Sequence, residues 1–231
     1  MDGLLVVDKP AGPTSHDVVQ DIRRLSGENR VGHAGTLDPA ATGVLLLLIG
    51  KATKLSERFL GDDKTYTGTI RFGMTTDTLD AAGKTVEERG STGLTLDAVE
   101  KAVLDLTGDI EQIPPMVSAI KVNGQPLYKA ARRGQIVDVP PRQITVRSFI
   151  VNDWRPGDAA EADFTIDCSK GTYIRSLARD LGEAVGCGAH LAALRRTRSG
   201  EYSIEDAIPL SELEEGGLAL LTMRLIPLES L

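Results

Sequence analysis

Leu4 to Val7 is uniformly apolar, and the Lys9-Pro10-Ala11-Gly12-Pro13 stretch behind it interrupts regular structure, so a short strand and a turn are predicted. Thr14 then stands three residues ahead of Asp17, a variant of the capping box, and Val18, Val19, Ile22 and Leu25 recur at helical spacing until Gly27 closes the helix. The run Val44–Ile49, VLLLLI, reads as a buried strand, with a short helix over 52–60 behind it. From 65 to 72 polar Thr65, Thr67, Thr69 and Arg71 alternate with Tyr66, Gly68, Ile70 and Phe72, the period of a half-buried strand. Leu96, Val99, Val103 and Leu106 give a helix capped by Thr95. Val117–Val122 followed by Asn123-Gly124 signals a hairpin, with a helix over 126–133. Strands are predicted at 144–151 and 162–168, and Thr172 caps a helix with Ile174, Leu177, Ala178, Leu181 and Val185 on one face. Helices interrupt strands irregularly, which implies an α+β fold with a mixed or antiparallel sheet. No repeat and no linker divides the pattern.

Composition narrows the class. The 231 residues are 41% hydrophobic and 26% charged, enough to bury a core and too apolar for disorder. No apolar run approaches the roughly 20 residues of a membrane helix. The start, MDGLLVVDKP, lacks a basic leader region and is broken by Asp8, Lys9 and Pro10, so no signal peptide is read and a cytoplasmic location is expected. Cys168 and Cys187, with His16, His33 and His190 scattered, do not make a zinc site; no metal is expected, and the two thiols read as reduced and unrelated.

The net charge of −7 argues against a polyanionic partner until its distribution is considered. Residues 201–231 carry seven acids and one base, a net of −6, which leaves −1 for residues 1–200. Two segments within that part are basic: 116–147 holds six bases against Asp138, and 170–198 holds six against Asp180 and Glu183. They form either a basic face that a polyanion would feel or two ordinary solvated surfaces.

Phosphate loops are excluded. Gly50-Lys51-Ala52-Thr53 is no Walker motif, because Leu45 stands where its first glycine belongs, and Gly32 and Gly35 do not complete a dinucleotide fingerprint. The segment of interest is RVGHAGTLDPAATG, residues 30–43. Its Asp38-Pro39 pair either marks a turn or displays a carboxylate in a space cleared by Gly32, Gly35, Gly43 and their small neighbours. A displayed carboxylate can act as a nucleophile if a cation keeps it ionised, and the candidate cations are Arg175 and Lys9. His33 can be a base, a stacking surface or a turn residue. Tyr66 and Tyr173 can line a pocket or simply pack, and Asp77 and Asp80 read as loop-structuring, with Asp80 in position to support the site.

The long motifs then settle on a family resemblance. GLLVVDKPAGPTS at 3–15, RVGHAGTLDPAATGVLLLLIGKATK at 30–54, KTYTGTIRFGMTTDTLDAAG at 64–83, IPPMVSAIKVNGQPLYKAARRG at 113–134, CSKGTYIRSLARDLG at 168–182 and LRRTRSG at 194–200 follow one another in a family's order. Nearly the whole chain resembles the TruB-type tRNA pseudouridine synthases. The resemblance implies a pseudouridine synthase fold: α+β, with a mixed, mainly antiparallel central sheet flanked by helices and an RNA-gripping loop insertion. It implies isomerisation of uridine 55 in the T-arm loop of tRNA to pseudouridine, without a cofactor, in a monomer. By motif position Asp38 would attack the base or the sugar, Arg175 would hold it ionised, and Tyr66 would lie against the flipped uracil and move a proton in the closing step. Tyr173 and Leu194 would wall the base pocket, and His33 would fill the gap the nucleotide leaves. Residues 113–147 would be the RNA-binding loop, with Lys121, Lys129, Arg132 and Arg133 its cations.

The expected organisation is one catalytic domain over 1–231, with an acidic C-terminal segment at 201–231. That segment is too small for the separate RNA-binding domain family members often carry there, so weaker RNA binding with intact chemistry is expected. The alternatives are a catalytically inactive structured-RNA-binding protein of the same fold, a carboxylate hydrolase, and a small-RNA-guided relative. Retention of Asp38, Tyr66 and Arg175 together disfavours the first; no second acid is clearly paired with Asp38, which disfavours the second. Guided relatives are typically longer and depend on partner proteins, which disfavours the third.

Overall fold

The computed structural model describes residues 1–118, 121–122, 125–126 and 139–231, the two short stretches as backbone only. The first third runs β1 Gly3–Lys9, α1 Ser15–Ser26, β2 Val31–Ala34, β3 Thr42–Ile49, α2 Ser56–Leu60 and β4 Lys64–Phe72. Next come β5 Met74–Thr76, β6 Thr85–Glu88, α3 Leu96–Asp105, β7 Gly108–Gln112, β8 Lys121–Val122 and β9 Gln125–Pro126. The remainder is β10 Arg142–Arg155, β11 Glu161–Cys168, α4 Ile174–Ala184, β12 Ala189–Ser199, β13 Tyr202–Ser203, β14 Ile208–Pro209, α5 Leu210–Arg224 and β15 Ile226–Pro227. By contact density the chain divides into two units, Met1–Thr67 with Leu194–Leu231, and Gly68–Ala193. The boundaries fall inside β4 and β12.

The first unit is built on β3. Every side chain from Val44 to Ile49 is fully buried, because β1 and β2 flank the strand antiparallel and both faces are covered. One face packs Val44, Leu46 and Leu48 with Leu4, Val6, Ala34, Ala52 and Phe59. On α1, Thr14 and Asp17 form the expected reciprocal capping box and Gly27 ends the helix in the left-handed region, φ 66°. That helix packs against β2 and α5, and α5 packs against β1. The chain after residue 200 adds edges to the same strand: β14 lies parallel to β1 through Val7–Ile208, and β15 antiparallel through Leu4–Ile226. Short apolar pairs inside an acidic segment gave no strand signal in the sequence. α5 is interrupted at Gly217, which leaves helical geometry at φ 59°, ψ −152°.

In the second unit β11, β10 and β7 are neighbours, joined antiparallel, and α3 packs on β10 and α4. Thr95 caps α3 as expected, accepting from Ala98 N at 3.3 Å. β8 and β9 pair antiparallel, Val122 with Gln125, where the sequence signals a hairpin; Asn123 and Gly124 lie outside the described residues. The predicted helix at 126–133 falls almost wholly outside the described residues.

The α+β class and the mixed, mainly antiparallel sheet hold, and several elements differ in detail. The helix expected over 52–60 is a 3₁₀ turn, Gly50–Leu55, leading into α2. The buried Lys64 ammonium closes α2, donating to the carbonyls of Phe59, Leu60 and Asp62. The N-cap of α4 is Tyr173, not Thr172, whose hydroxyl instead donates to Ser169 O at 2.9 Å.

Candidate active site

Asp38 sits, half-buried, in the loop joining β2 to β3. Groups contributed by β1, α1 and β12 hold that loop by its backbone. Ser15, in the first turn of α1, donates its hydroxyl to Leu37 O at 2.9 Å and accepts from Leu37 N at 2.8 Å. Gly12 N donates to Pro39 O at 2.8 Å. Lys9, 0% exposed, gives its ammonium to Pro10 O at 2.7 Å, Pro39 O at 3.2 Å and Ala41 O at 2.8 Å. Arg196, 1% exposed, donates from Nε to Val44 O at 2.7 Å and from Nη2 to Gly35 O at 3.0 Å. A carboxylate on such a loop is displayed from a fixed platform rather than a mobile turn.

Charge follows the same geometry. Burial pushes the Lys9 ammonium down to about 8, against the pull of the Asp38 and Asp17 carboxylates, which favour its charged form. The buried ammonium therefore sits in the field of Asp38 and favours its ionised state in return.

His33 is in β2, opposite Leu47, rather than in a turn. Burial chiefly, then the charges of Arg196 and His16, lowers its pKa, so the ring is neutral at pH 7. Its Nδ1 is buried without a hydrogen-bond partner among the described residues. Tyr66 is 9% exposed, on the apolar side of β4 as the alternation predicts. Arg198 steadies the preceding residue by donating from Nε to Thr65 Oγ1 at 3.0 Å. Leu194 is half-buried on β12, next to Arg195, the residue aligned with Thr42 in the parallel β12–β3 register.

Tyr173 and Arg175 belong to the second unit, at the start of α4. Arg175 is 6% exposed, and its guanidinium is fixed by Thr78 O and Val117 O, each at 3.0 Å, with Asp80 Oδ2 at 3.7 Å. Asp80 is itself held by Thr78 Oγ1 at 2.6 Å and Ala82 N at 3.0 Å, and Asp77 Oδ1 accepts from Lys84 N at 2.8 Å. Both acids structure their loop as read from the sequence, and Asp80 also faces the arginine. Tyr173 is held through its backbone: its N–H donates to Gln112 Oε1 at 2.8 Å, and its carbonyl accepts from Gln112 Nε2 at 3.0 Å.

Gln112, Ser15 and Arg196 were missed as supporting residues, because each acts on backbone groups far away in the chain and no side-chain motif marks that. Most bases of the segment 170–198 also have partners within the protein. Arg175 and Arg196 are buried on carbonyls, Arg195 is ion-paired to Asp8 at 2.7 Å, and Arg179 binds Asp180 at 2.8 Å. These four of its six bases are thus engaged as structural braces, while Lys170 is exposed. Of the expected RNA-binding cations, Lys129, Arg132 and Arg133 lie outside the described residues, and Lys121 is described only as backbone in β8. Among the described residues no helix is long and apolar enough to cross a membrane, and no cluster of three or more His, Cys, Asp or Glu is placed to hold a metal ion.

The architecture is that of a pseudouridine synthase. The chain aligns with the Cbf5 chain of a Cbf5-Nop10-Gar1 complex at a TM-score of 0.74 and 30% identity, over 99% of this chain and 60% of that one. The archaeal box H/ACA Nop10-Cbf5 complex gives 0.69 and 27%, again over 99% and 60%. The chain thus spans about 60% of the length of these solved chains. Residues 23–174 match the model of the TruB family pseudouridylate synthase N-terminal domain, and residues 175–231 that of the tRNA pseudouridylate synthase B C-terminal domain. Proteins named tRNA pseudouridine synthase B from Arthrobacter sp. (strain FB24) and Thermobifida fusca (strain YX) are 52% and 51% identical. They align over 93% and 92% of this chain and 71% and 74% of their own lengths. The chain belongs to the TruB family of pseudouridylate synthases.

Proposed function

We propose that this chain isomerises uridine 55 in the T-arm loop of tRNA to pseudouridine, with Asp38 as the nucleophile. The observation that carries the reading is the anchored Asp38 loop, a carboxylate held up by backbone braces and flanked by residues small enough to admit a nucleotide. The relatives named tRNA pseudouridine synthase B support tRNA as the substrate. The reaction detaches the base from its ribose and rejoins it through carbon 5, so the uridine must leave its stack, at a cost of a few kcal/mol.

Asp38 attacks the flipped nucleotide, either the uracil or the ribose. Arg175, fixed on carbonyls and facing Asp80, supplies the positive charge that favours an ionised nucleophile. Tyr66 lies against the uracil and moves a proton in the closing step. Tyr173 and Leu194 bound the base, and neutral His33 takes the vacated place in the RNA stack. The segment 113–147, which enters β10 at Arg142, grips the RNA by its shape and backbone, with Lys121, Lys129, Arg132 and Arg133 as its cations. The protein acts as a monomer without cofactor or metal, and residues 1–231 serve one catalytic function.

Tritium release from a T-arm stem-loop carrying 5-tritiated uridine tests this. Wild type releases tritium and Asp38→Asn does not, while both bind the RNA. Binding by wild type without any release would sink the enzyme reading and favour a structured-RNA-binding protein of this fold.

A further inference from the structure

Both ends of the Asp38 loop rest on one residue. At the far end Gly43 has φ 99°, and a Cβ added there would lie 2.1 Å from Arg196 O and 2.8 Å from Arg196 N. The parallel register aligns Arg196 with Gly43, so the β12 backbone occupies the side-chain position. At the near end Gly35 has φ 97°, and its Cβ position is 3.3 Å from Arg196 Nη1. The guanidinium then bridges the two ends, from Gly35 O to Val44 O. A buried guanidinium is costly to desolvate, and here its donors meet two carbonyls nine residues apart in the chain. The same charge contributes to keeping His33, just ahead of the loop, neutral.

We infer that Arg196 is a positioning residue for the reaction, setting the span of the Gly35–Val44 loop and hence the place of the Asp38 carboxylate. This rests on the function proposed above. Arg196 touches neither uracil nor ribose; it acts through the loop backbone. Lysine keeps the charge but cannot span both carbonyls with a planar fork, and methionine keeps only the length.

The test compares Arg196→Lys and Arg196→Met with wild type, under conditions where each is folded. Tritium release is followed in single turnover against enzyme concentration, and hydrogen exchange is followed at the amides of residues 36–42. The saturating rate is expected to fall about 100-fold in Arg196→Met and about tenfold in Arg196→Lys, as a displaced nucleophile requires. The half-saturating concentration stays within about threefold of wild type, because RNA contacts are not removed. Exchange over 36–42 accelerates while β1 and β3 stay protected. A saturating rate within about threefold of wild type, or unchanged protection over 36–42 in a slowed variant, overturns the inference. Arg196→Lys is the milder change and decides the matter if Arg196→Met does not fold. Should wild type itself release no tritium, the proposed reaction fails separately, and exchange over 36–42 alone judges the role of Arg196.

Discussion

The two units fix charged groups in opposite senses. In the first, buried cations serve a backbone: Lys9 and Arg196 donate to the carbonyls of the loop that carries the half-buried Asp38 carboxylate. In the second, a backbone serves a cation: the carbonyls of Thr78 and Val117 hold the Arg175 guanidinium in place. The difference follows from what each must present. A short carboxylate can be aimed only by fixing the chain that carries it, whereas the long side chain of arginine can be aimed by fixing its tip. Removing a brace should therefore damage the first unit through loop geometry and the second through side-chain placement.

Lys9→Met breaks the first arrangement most severely. Pro39 O keeps its bond from Gly12 N, but Pro10 and Ala41 lose the ammonium. About 3 kcal/mol of stability is expected to go, read as a lower urea midpoint, together with most of the activity. Titration removes only the ammonium's charge and one N–H, and its effect on stability has the opposite sign. The unfolded chain keeps Lys9 near its ordinary 10.5, while the folded value is about 8. Between those values the folded chain binds fewer protons, so this group makes stability rise with pH. Over the same window a neutral amine has too few N–H groups for three carbonyls, and the saturating rate falls. A rate that stays level while Lys9 deprotonates would detach the ammonium from the loop's function.

Gln112→Leu tests the second unit. The side chain is buried on β7, and leucine of similar size removes the amide that meets both backbone groups of Tyr173. Roughly 2 kcal/mol should be lost, and the half-saturating RNA concentration should rise because Tyr173 shifts. Exchange across α1 and the 36–42 loop should not change. Faster exchange there would mean that the two arrangements are not separable.

Local signals were legible wherever the chain solves its own problem. The Thr14–Asp17 box, the alternation through Tyr66, and the pairing of Val122 with Gln125 each involve partners a few residues apart. The small residues around Asp38 were legible too, and Lys9 was a candidate cation from the start. Distant backbone acceptors were not legible. Arg196 lies in a run of basic residues and looks like surface charge, yet Val44 O, 152 positions away, is its partner. A carbonyl is present at every residue, so nothing in the sequence distinguishes the one that will be met. The two-residue strands β14 and β15 were invisible for the same reason, since β1 supplies their pattern.

The smallest expected effect probes whether the loop's braces share their load. Thr14→Ala removes the cap of α1, where Thr14 Oγ1 accepts from Asp17 N at 3.0 Å, and should cost about 1 kcal/mol. The next residue, Ser15, is the one that fastens Leu37 beside Asp38. If Lys9, Gly12 and Arg196 suffice to hold the loop, fraying the first turn lowers the urea midpoint and leaves the saturating rate within about twofold of wild type. If instead the rate falls more than the stability, Ser15 is the brace on which the others depend. The first unit would then resemble the second, with one side chain setting the position of the reactive group.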